Sequence, residues 1–176
     1  MDEHPAVTVL RLGHRPGRDE RMTTHVGLTA RALGADRLLL AGNAAGRAET
    51  VTEVTERFGG PFAVETTDAP VERLDGWPGH VVHLTMYGLP LQEEVGAVRD
   101  AGDDPLLVAV GAEKVPWAVY EAADWNLAVT NQPHSEVASL AVFLDRLFEG
   151  DELDREWVDA DREVVPQAEG KRVEDR

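Results

Sequence analysis

The sequence contains no cysteine, so disulfide bonds and thiolate metal sites are excluded. It also lacks any apolar run near the roughly 18–20 residues that a membrane-spanning helix needs. The opening residues, MDEHPAVTVL, have no basic stretch followed by an apolar segment, so we expect no signal peptide and predict a cytoplasmic protein without a membrane partner. A chain of 176 residues suffices for one domain with a sizeable core and is short for two.

Lysine is nearly absent, since Lys114 and Lys171 are the only two among the 17 basic residues. Aspartate and glutamate number 33, which gives a net charge of −16 at pH 7. Scarce lysine beside abundant carboxylates indicates a protein from a proteome that is adapted to molar salt. At 1 M ionic strength the Debye length is roughly 3 Å, so an acidic surface is compatible with a nucleic-acid partner. The alternative is an acidic protein of ordinary ionic strength with neutral or acidic ligands.

Arginine is concentrated near the N-terminus. Residues 11–37 carry a net charge of +3 and contain Arg11, Arg15, Arg18, Arg21, Arg31 and Arg37. Because the guanidinium fork matches phosphate, such a cluster on an acidic protein is a candidate anion site. Solvated salt bridges, including the run Arg18–Asp19–Glu20–Arg21, are an equally plausible interpretation of the spacing.

Short apolar segments alternate with helical patterns along the chain. Strands are predicted at 7–12, 37–42, 62–66, 80–85, 106–111 and 126–130. Helices are predicted from Thr23 or Thr24 to about Ala32 with Gly34 as the stop signal, at 48–58, at 90–100, at 116–123, and at 135–150 with Ser135 as N-cap. Because the strands are apolar without alternation, they indicate an α/β fold with a mainly parallel sheet and helices on both faces.

The composition changes near residue 150. Residues 1–150 are interpreted as one domain, and residues 151–176 as a charged C-terminal extension. Trp157 and Val164 are among the few apolar residues of this extension. We expect these apolar residues to pack against the rest of the protein, so we interpret the extension as an ordered arm.

Three polar segments follow buried strands. They are HLTMYG (83–88), GAEKVP (111–116) and VTNQPHSE (129–136). In open α/β sheets, ligands bind outside the carboxyl ends of the strands. Gly111 permits close approach of a ligand to the backbone, and the free N–H groups at the start of the last helix suit a carboxylate. Each segment alone is compatible with an ordinary strand-to-helix connection, but three at one edge favour a ligand site.

Several common site motifs are missing. The first strand leads into GHRPGRDER and the second into AGNAAG, so the glycine-rich loop and acid of a dinucleotide-binding fold are absent. This disfavours a nicotinamide cofactor and a conventional Rossmann methyltransferase. His80 and His83 have no carboxylate at metal-ligand spacing, so we interpret them as strand residues and expect no metal.

Four long blocks carry a more specific pattern. They are LRLGHRPGRDERMTTHVGLTARALGA (10–35), HLTMYG (83–88), GAEKVP (111–116) and VTNQPHSEVASLAVFLDRL (129–147), with a weaker match in VVPQAEGKRV (164–173). In this order they resemble the archaeal tRNA cytidine-56 2′-O-methyltransferase family of the SPOUT superfamily. The resemblance covers most of residues 7–150.

The resemblance implies a sheet whose C-terminal part forms a trefoil knot, with S-adenosyl-L-methionine (SAM) bound in the knot loops. It implies a homodimer whose second subunit completes a tRNA site, with the ribose of cytidine 56 in the T-loop as substrate. The arginine-rich block 11–21 would face the RNA. Carried over by position, SAM would contact Leu84, Gly111, Ala112, Glu113, Lys114, Val115, Val129, Thr130, Asn131, Gln132, Pro133, His134, Ser135 and Glu136.

Methyl transfer to a ribose hydroxyl needs alignment of the reactants and removal of a proton. In related ribose-methylating enzymes of the superfamily an N-terminal arginine is assigned near the reacting hydroxyl, which makes Arg15, Arg18 and Arg21 the catalytic candidates. Because arginine stays protonated, we expect it to position the substrate and stabilise negative charge. His25 is a conventional base candidate, although a histidine on a helix face is the simpler interpretation.

Two other function classes remain open from the residues alone. One is a non-enzymatic nucleotide-binding α/β module, which SAM binding without methyl transfer would indicate. The other is an α/β enzyme of a flavodoxin-like or hydrolase type, which binding of FMN or phosphate without SAM would indicate.

Overall fold

The computed structural model describes residues 4–111 and 114–176. Within these residues, one sheet is formed by β1 (Val7–Arg11), β2 (Arg37–Ala41), β3 (Ala63–Thr67), β4 (His80–Pro90), β5 (Leu106–Val110) and β6 (Trp125–Ala128). The strand order is β3-β2-β1-β5-β4-β6, and all neighbouring strands are parallel. The predicted parallel sheet is therefore confirmed, while the knot stays a prediction.

Helices connect the strands. The described residues form α1 (Glu20–Ala32), α2 (Ala45–Phe58), α3 (Pro70–Asp75), α4 (Leu91–Arg99), α5 (Trp117–Ala122) and α6 (Glu136–Phe148). Short 3₁₀ turns occupy Gly42–Ala44 and Asp151–Asp154. None of the helices described is long and apolar enough to cross a membrane.

Both faces of the sheet are covered, as predicted. In β5, Leu106 and Val108 belong to one apolar cluster, which α1, α2, α4 and α6 complete, whereas Leu107 and Ala109 belong to a second cluster with α3 and α5. Side chains of a strand alternate between the two faces. A strand buried on both faces therefore needs apolar residues at every position, which explains the uninterrupted apolar run.

The first helix begins earlier than the sequence predicted. The predicted start was Thr23 or Thr24, but α1 begins at Glu20. The Thr23 hydroxyl accepts a hydrogen bond from Arg11 Nη1 at 3.0 Å, so it serves a tertiary contact instead of a helix cap. The predicted end at Ala32 is confirmed.

Both sequence signals for helix ends are confirmed. Gly34 follows α1 with a φ of +94°, a conformation that side chains with a Cβ rarely adopt. At the start of α6, the Ser135 hydroxyl accepts a hydrogen bond from the Val137 N–H at 3.2 Å. This is the side-chain cap that the sequence predicted.

The fourth strand is longer than predicted and bends across its neighbour. Leu84 and Leu89 of β4 both pair with Leu127 of β6, so the intervening residues bulge out of the ladder. At Gly88 an added Cβ would lie 2.4 Å from the carbonyl oxygen of Asn126, so only glycine permits this backbone approach. The HLTMYG segment is therefore an irregular part of the strand, not a loop after it.

The C-terminal extension folds against the body of the protein. It contains an antiparallel hairpin of β7 (Arg162–Val165) and β8 (Arg172–Asp175). Gly60 and Val158 exchange two backbone hydrogen bonds of 2.9 and 3.1 Å, which dock the extension just after the end of α2. The hairpin and α3 are the main elements that the sequence did not predict.

Candidate functional site

The three polar segments singled out in the sequence start side by side at one edge of the sheet. Leu84 of β4 pairs with Val110 of β5 and with Leu127 of β6, so these residues form one row across three strands. Since the strands are parallel, the bulge of β4 and the segments that follow β5 and β6 lie at the same edge of the sheet. The structure therefore brings the three predicted cofactor segments together.

Side-chain hydrogen bonds tie these segments to one another. Asn131 Nδ2 donates to the carbonyl oxygens of Met86 at 2.7 Å and Gly88 at 3.0 Å. The Thr85 hydroxyl lies 3.1 Å from the Tyr120 hydroxyl of α5. The bulge of β4 is thus fixed both to the segment before α6 and to the helix after β5.

The predicted cofactor-binding residues differ in exposure. Buried or partly buried are Leu84, Gly111, Val115, Val129, His134 and Glu136; exposed are Lys114, Thr130, Asn131, Gln132, Pro133 and Ser135. Ala112 and Glu113 lie outside the described residues. An apolar floor with a polar rim is the usual composition of a small-molecule site.

Arg15 lies on the connection between β1 and α1, where Asp19 holds it. Arg15 Nε and Nη2 donate to the two carboxylate oxygens of Asp19 at 3.1 and 3.0 Å, and the Arg15 backbone N–H donates at 2.8 Å. Asp19 is buried. The hydrogen bonds from Arg15, assisted by the charge of Arg11, hold the pKa of Asp19 well below its usual value despite burial. The carboxylate is therefore ionised throughout the neutral range.

Arg11 corrects one expectation, because it is turned away from solvent, unlike Arg18 and Arg21 of the 11–21 block. It is buried at the end of β1, where Nη2 lies 2.6 Å from Glu136 Oε1 and Nη1 lies 3.6 Å from Asp19 Oδ2. Two carboxylates removed from water need a buried countercharge. The ionic chain Arg15–Asp19–Arg11–Glu136 thereby joins the arginine loop to the start of α6.

Glu136 has an unusual environment for a carboxylate. Its Oε1 atom accepts from Arg11, whereas Oε2 is buried and has no hydrogen-bond partner among the described residues. Burial raises the pKa of Glu136, and the hydrogen bond from Arg11 opposes this effect. Glu136 therefore anchors Arg11 to the segment that is predicted to bind the cofactor.

Arg18 and Arg21 are exposed, and neither side chain forms a hydrogen bond or ion pair within 4–111 and 114–176. The salt bridges suggested for the run Arg18–Asp19–Glu20–Arg21 do not form at its two arginines, whereas Arg15 and Arg37 of the same cluster do pair with carboxylates. Asp19 is turned inward, and Glu20 pairs instead with Arg47 of α2 at 3.1 Å. Of the three catalytic candidates, only Arg15 is held by a buried partner.

The histidines take the positions expected of strand and helix residues. His83 is buried in β4, with Nδ1 2.9 Å from Asn126 Oδ1, and burial lowers its pKa. His25 is exposed on α1. In the described part of the chain, no group of three histidine, aspartate or glutamate side chains is arranged to hold a metal ion.

Sequence reasoning missed the positioning roles of Asp19 and Arg11. The four-residue spacing from Arg15 to Asp19 is compatible with an ion pair between them, but whether the pair forms depends on how the β1–α1 connection folds. The pairing of Arg11 with Glu136 joins residues 125 positions apart, so no local pattern indicates it.

Comparison with known proteins identifies the family. A family model described as tRNA ribose 2′-O-methyltransferase, aTrm56, matches residues 58–174. The tRNA (cytidine(56)-2′-O)-methyltransferase of Haloarcula marismortui is 68% identical over 176 residues, which cover 99% of this chain and 98% of that protein. The chain belongs to the aTrm56 family of tRNA ribose 2′-O-methyltransferases.

Solved structures confirm the fold class of this aTrm56 member. The TrmH/SpoU tRNA modifying enzyme of A. aeolicus superposes with a TM-score of 0.57 at 16% identity, over 87% of this chain and 78% of that one. The SpoU methyltransferase AviRb of Streptomyces viridochromogenes, in complex with AdoMet, gives a TM-score of 0.55 at 15% identity, over 85% and 63%. At such identities the likeness shows the fold alone.

Family membership confirms the enzyme class predicted from the four blocks, and it sets aside the flavodoxin-like and hydrolase alternatives. The relative in Haloarcula marismortui, a halophilic archaeon, agrees with the interpretation of the acidic, lysine-poor composition as adaptation to salt.

Proposed function

We propose that the protein transfers the methyl group of SAM to the ribose 2′-hydroxyl of cytidine 56 in the T-loop of tRNA. The observation that carries this proposal is the 68% identity, along 99% of the chain, with a protein whose name states this reaction. The non-enzymatic nucleotide-binding module is the less favoured alternative, because the family is one of methyltransferases.

The loops at the sheet edge suit SAM as cofactor. Leu84 and Val115 offer apolar surface for the adenine and the carbon chain, and the exposed amides of Asn131 and Gln132 offer polar contacts. At Gly111 the nearest atom to an added Cβ is Val115 Cγ2, at 3.0 Å, so a larger side chain would fill the space between them. A SpoU methyltransferase of the same fold has been solved with AdoMet. When bound, SAM supplies the electrophilic methyl group.

Arg15 is the residue that we assign to the reacting hydroxyl. Asp19 fixes two of its nitrogen atoms, and the buried pair of Arg11 and Glu136 fixes Asp19 relative to the cofactor segment. This arrangement would place a permanent positive charge close to both SAM and the ribose. Since arginine keeps its proton, its role is to orient the hydroxyl or a neighbouring phosphate and to stabilise the negative charge that develops on oxygen.

We further propose a cytoplasmic homodimer, as the family resemblance implies. A surface of −16 net charge disfavours self-association at low ionic strength. In molar salt the repulsion is screened within roughly 3 Å, so two acidic subunits can pack together.

The test combines two measurements in molar salt. Unmodified tRNA transcript and labelled SAM should yield 2′-O-methylcytidine at position 56, and a transcript with 2′-deoxycytidine at that position is the matched control. Calorimetry on the metal-free protein should show SAM binding. Saturable SAM binding without label in the transcript would favour the binding-module alternative, and the absence of heat at millimolar SAM would reject the cofactor.

A further inference from the structure

A second cleft lies between the C-terminal extension and the ends of α1 and α2, and it contains none of the residues assigned to catalysis or SAM. Its volume is about 890 Å³. Four arginines line it: Arg31, Arg155, Arg162 and Arg176. The acidic residues Glu156, Asp159 and Glu163 also line the cleft, so its overall charge does not by itself predict a ligand.

Arg31 is the unusual member of this set. The residue is only 7% exposed, and one of its nitrogen atoms donates to the carbonyl oxygen of Gly59. Its Nε atom is buried without a hydrogen-bond partner, and no ion pair reaches it from any residue that the structure describes. Because an arginine cannot discharge itself by losing a proton, Arg31 is a buried cation without a countercharge.

A second guanidinium contacts the same tryptophan ring as Arg31. The Cζ atom of Arg31 lies 4.4 Å from the ring centroid of Trp157, and that of Arg155 lies 5.4 Å from the same ring. Burial lowers the pKa of Arg31, and the charge of Arg155 lowers it further. A cation–π contact offsets only part of the free energy that is lost when an ion is removed from water, so the tryptophan alone does not compensate for the burial of Arg31.

The carboxylates nearby are either committed elsewhere or exposed. Glu163 pairs with Arg176, and Arg162 lies 3.4 Å from Asp175 in the hairpin. Glu156 and Asp159, which also line the cleft, are exposed and form no ion pair with Arg31. Arg155 Nη2 lies 3.7 Å from Asp36 Oδ1. Arg155, Arg162 and Arg176 therefore each have a carboxylate partner, whereas Arg31 has none among the described residues.

We propose that this cleft binds a phosphate-type anion at Arg31 and Arg155 beside Trp157. Two sources share this chemistry, a phosphodiester of the tRNA substrate and free inorganic phosphate. Arg31 lies twelve residues after Asp19 along α1, so at 1.5 Å per residue the cleft is roughly 18 Å from the arginine loop. A tRNA in contact with Arg15 is large enough to reach both positions.

The first experiment titrates the protein with inorganic phosphate at constant ionic strength. The Trp157 indole N–H resonance, assigned with Trp157→Phe, should shift saturably in the wild type. Arg31→Met should abolish the saturable shift, and Arg155→Met should weaken phosphate binding at least tenfold. Arg57→Met, which removes an exposed arginine of α2, is the matched control and should bind like the wild type.

No saturable shift in the wild type would overturn the proposal, whether or not any variant folds. Wild-type phosphate affinity in folded Arg31→Met protein would overturn it as well. Affinity for tRNA then distinguishes the sources: weaker binding by Arg31→Met than by Arg57→Met identifies a phosphodiester, and equal binding identifies a free anion. The phosphate titration needs neither SAM nor methyl transfer, so its failure would leave the proposed methyltransferase function intact.

Discussion

Replacing Arg15 by lysine keeps the positive charge but removes the planar fork that holds Asp19. In the native loop, Nε and Nη2 donate to the two carboxylate oxygens at 3.1 and 3.0 Å. A lysine ammonium can retain at most one of these contacts, and a hydrogen bond to a charged partner contributes about 1.5–3 kcal/mol. The Arg15 side chain is 41% exposed, so solvent screening favours the lower end of that range. A loss of about 1.4 kcal/mol in the transition state corresponds to a rate about tenfold lower.

Single-turnover methylation at saturating tRNA and SAM measures this effect. Arg15→Lys should lower the rate by about tenfold or more. Its SAM affinity, measured by calorimetry, should stay the same. Arg18→Lys and Arg21→Lys are matched controls, and both should react at near wild-type rates because no buried partner holds either side chain. A folded Arg15→Lys protein with the wild-type rate would refute the assignment of Arg15 and make His25 the next candidate.

Three further predictions concern stability, the cofactor and assembly. Asp19→Asn leaves two arginines without their shared carboxylate and should lower the free energy of unfolding by about 3 kcal/mol at neutral pH. Because folding lowers the pKa of Asp19, its contribution to the free energy of unfolding is complete above the unfolded pKa of about 3.9 and is lost as the pH falls through the folded pKa. The free energies of unfolding of the wild type and of Asp19→Asn should therefore converge in acid. A difference between the two that is independent of pH would contradict this. Gly111→Val should abolish SAM binding in calorimetry because the new side chain meets Val115, while circular dichroism shows an intact fold. Unchanged SAM affinity in the folded variant would mean that SAM does not bind beside Gly111. Sedimentation in molar salt should give a dimer, and a species of 19.2 kDa would argue against it.

Local patterns predicted the elements that depend on local physics. The six strands were found from apolar runs, which are clearest in β1 and β5 because every residue of these two strands is buried. Helix α6 was found from its apolar stripe and the Ser135 cap. The start of α1 was misplaced, since the Thr23 hydroxyl that could cap a helix is used by Arg11. The hairpin of the extension was missed because its two strands are short, mostly exposed and half charged, so they lack the apolar run that marks a buried strand.

The fold class, the three polar segments at the carboxyl edge of the sheet, and, through the four blocks, the family could all be predicted from the residues. The sequence left three arginines equivalent, because spacing along a chain does not reveal which side chain meets a buried partner. Only the tertiary structure separates Arg15 from Arg18, and only it turns Arg11 inward toward Glu136. Strand order brings residues more than a hundred positions apart into contact, and the energy of a buried charge depends on those contacts and not on its neighbours in sequence.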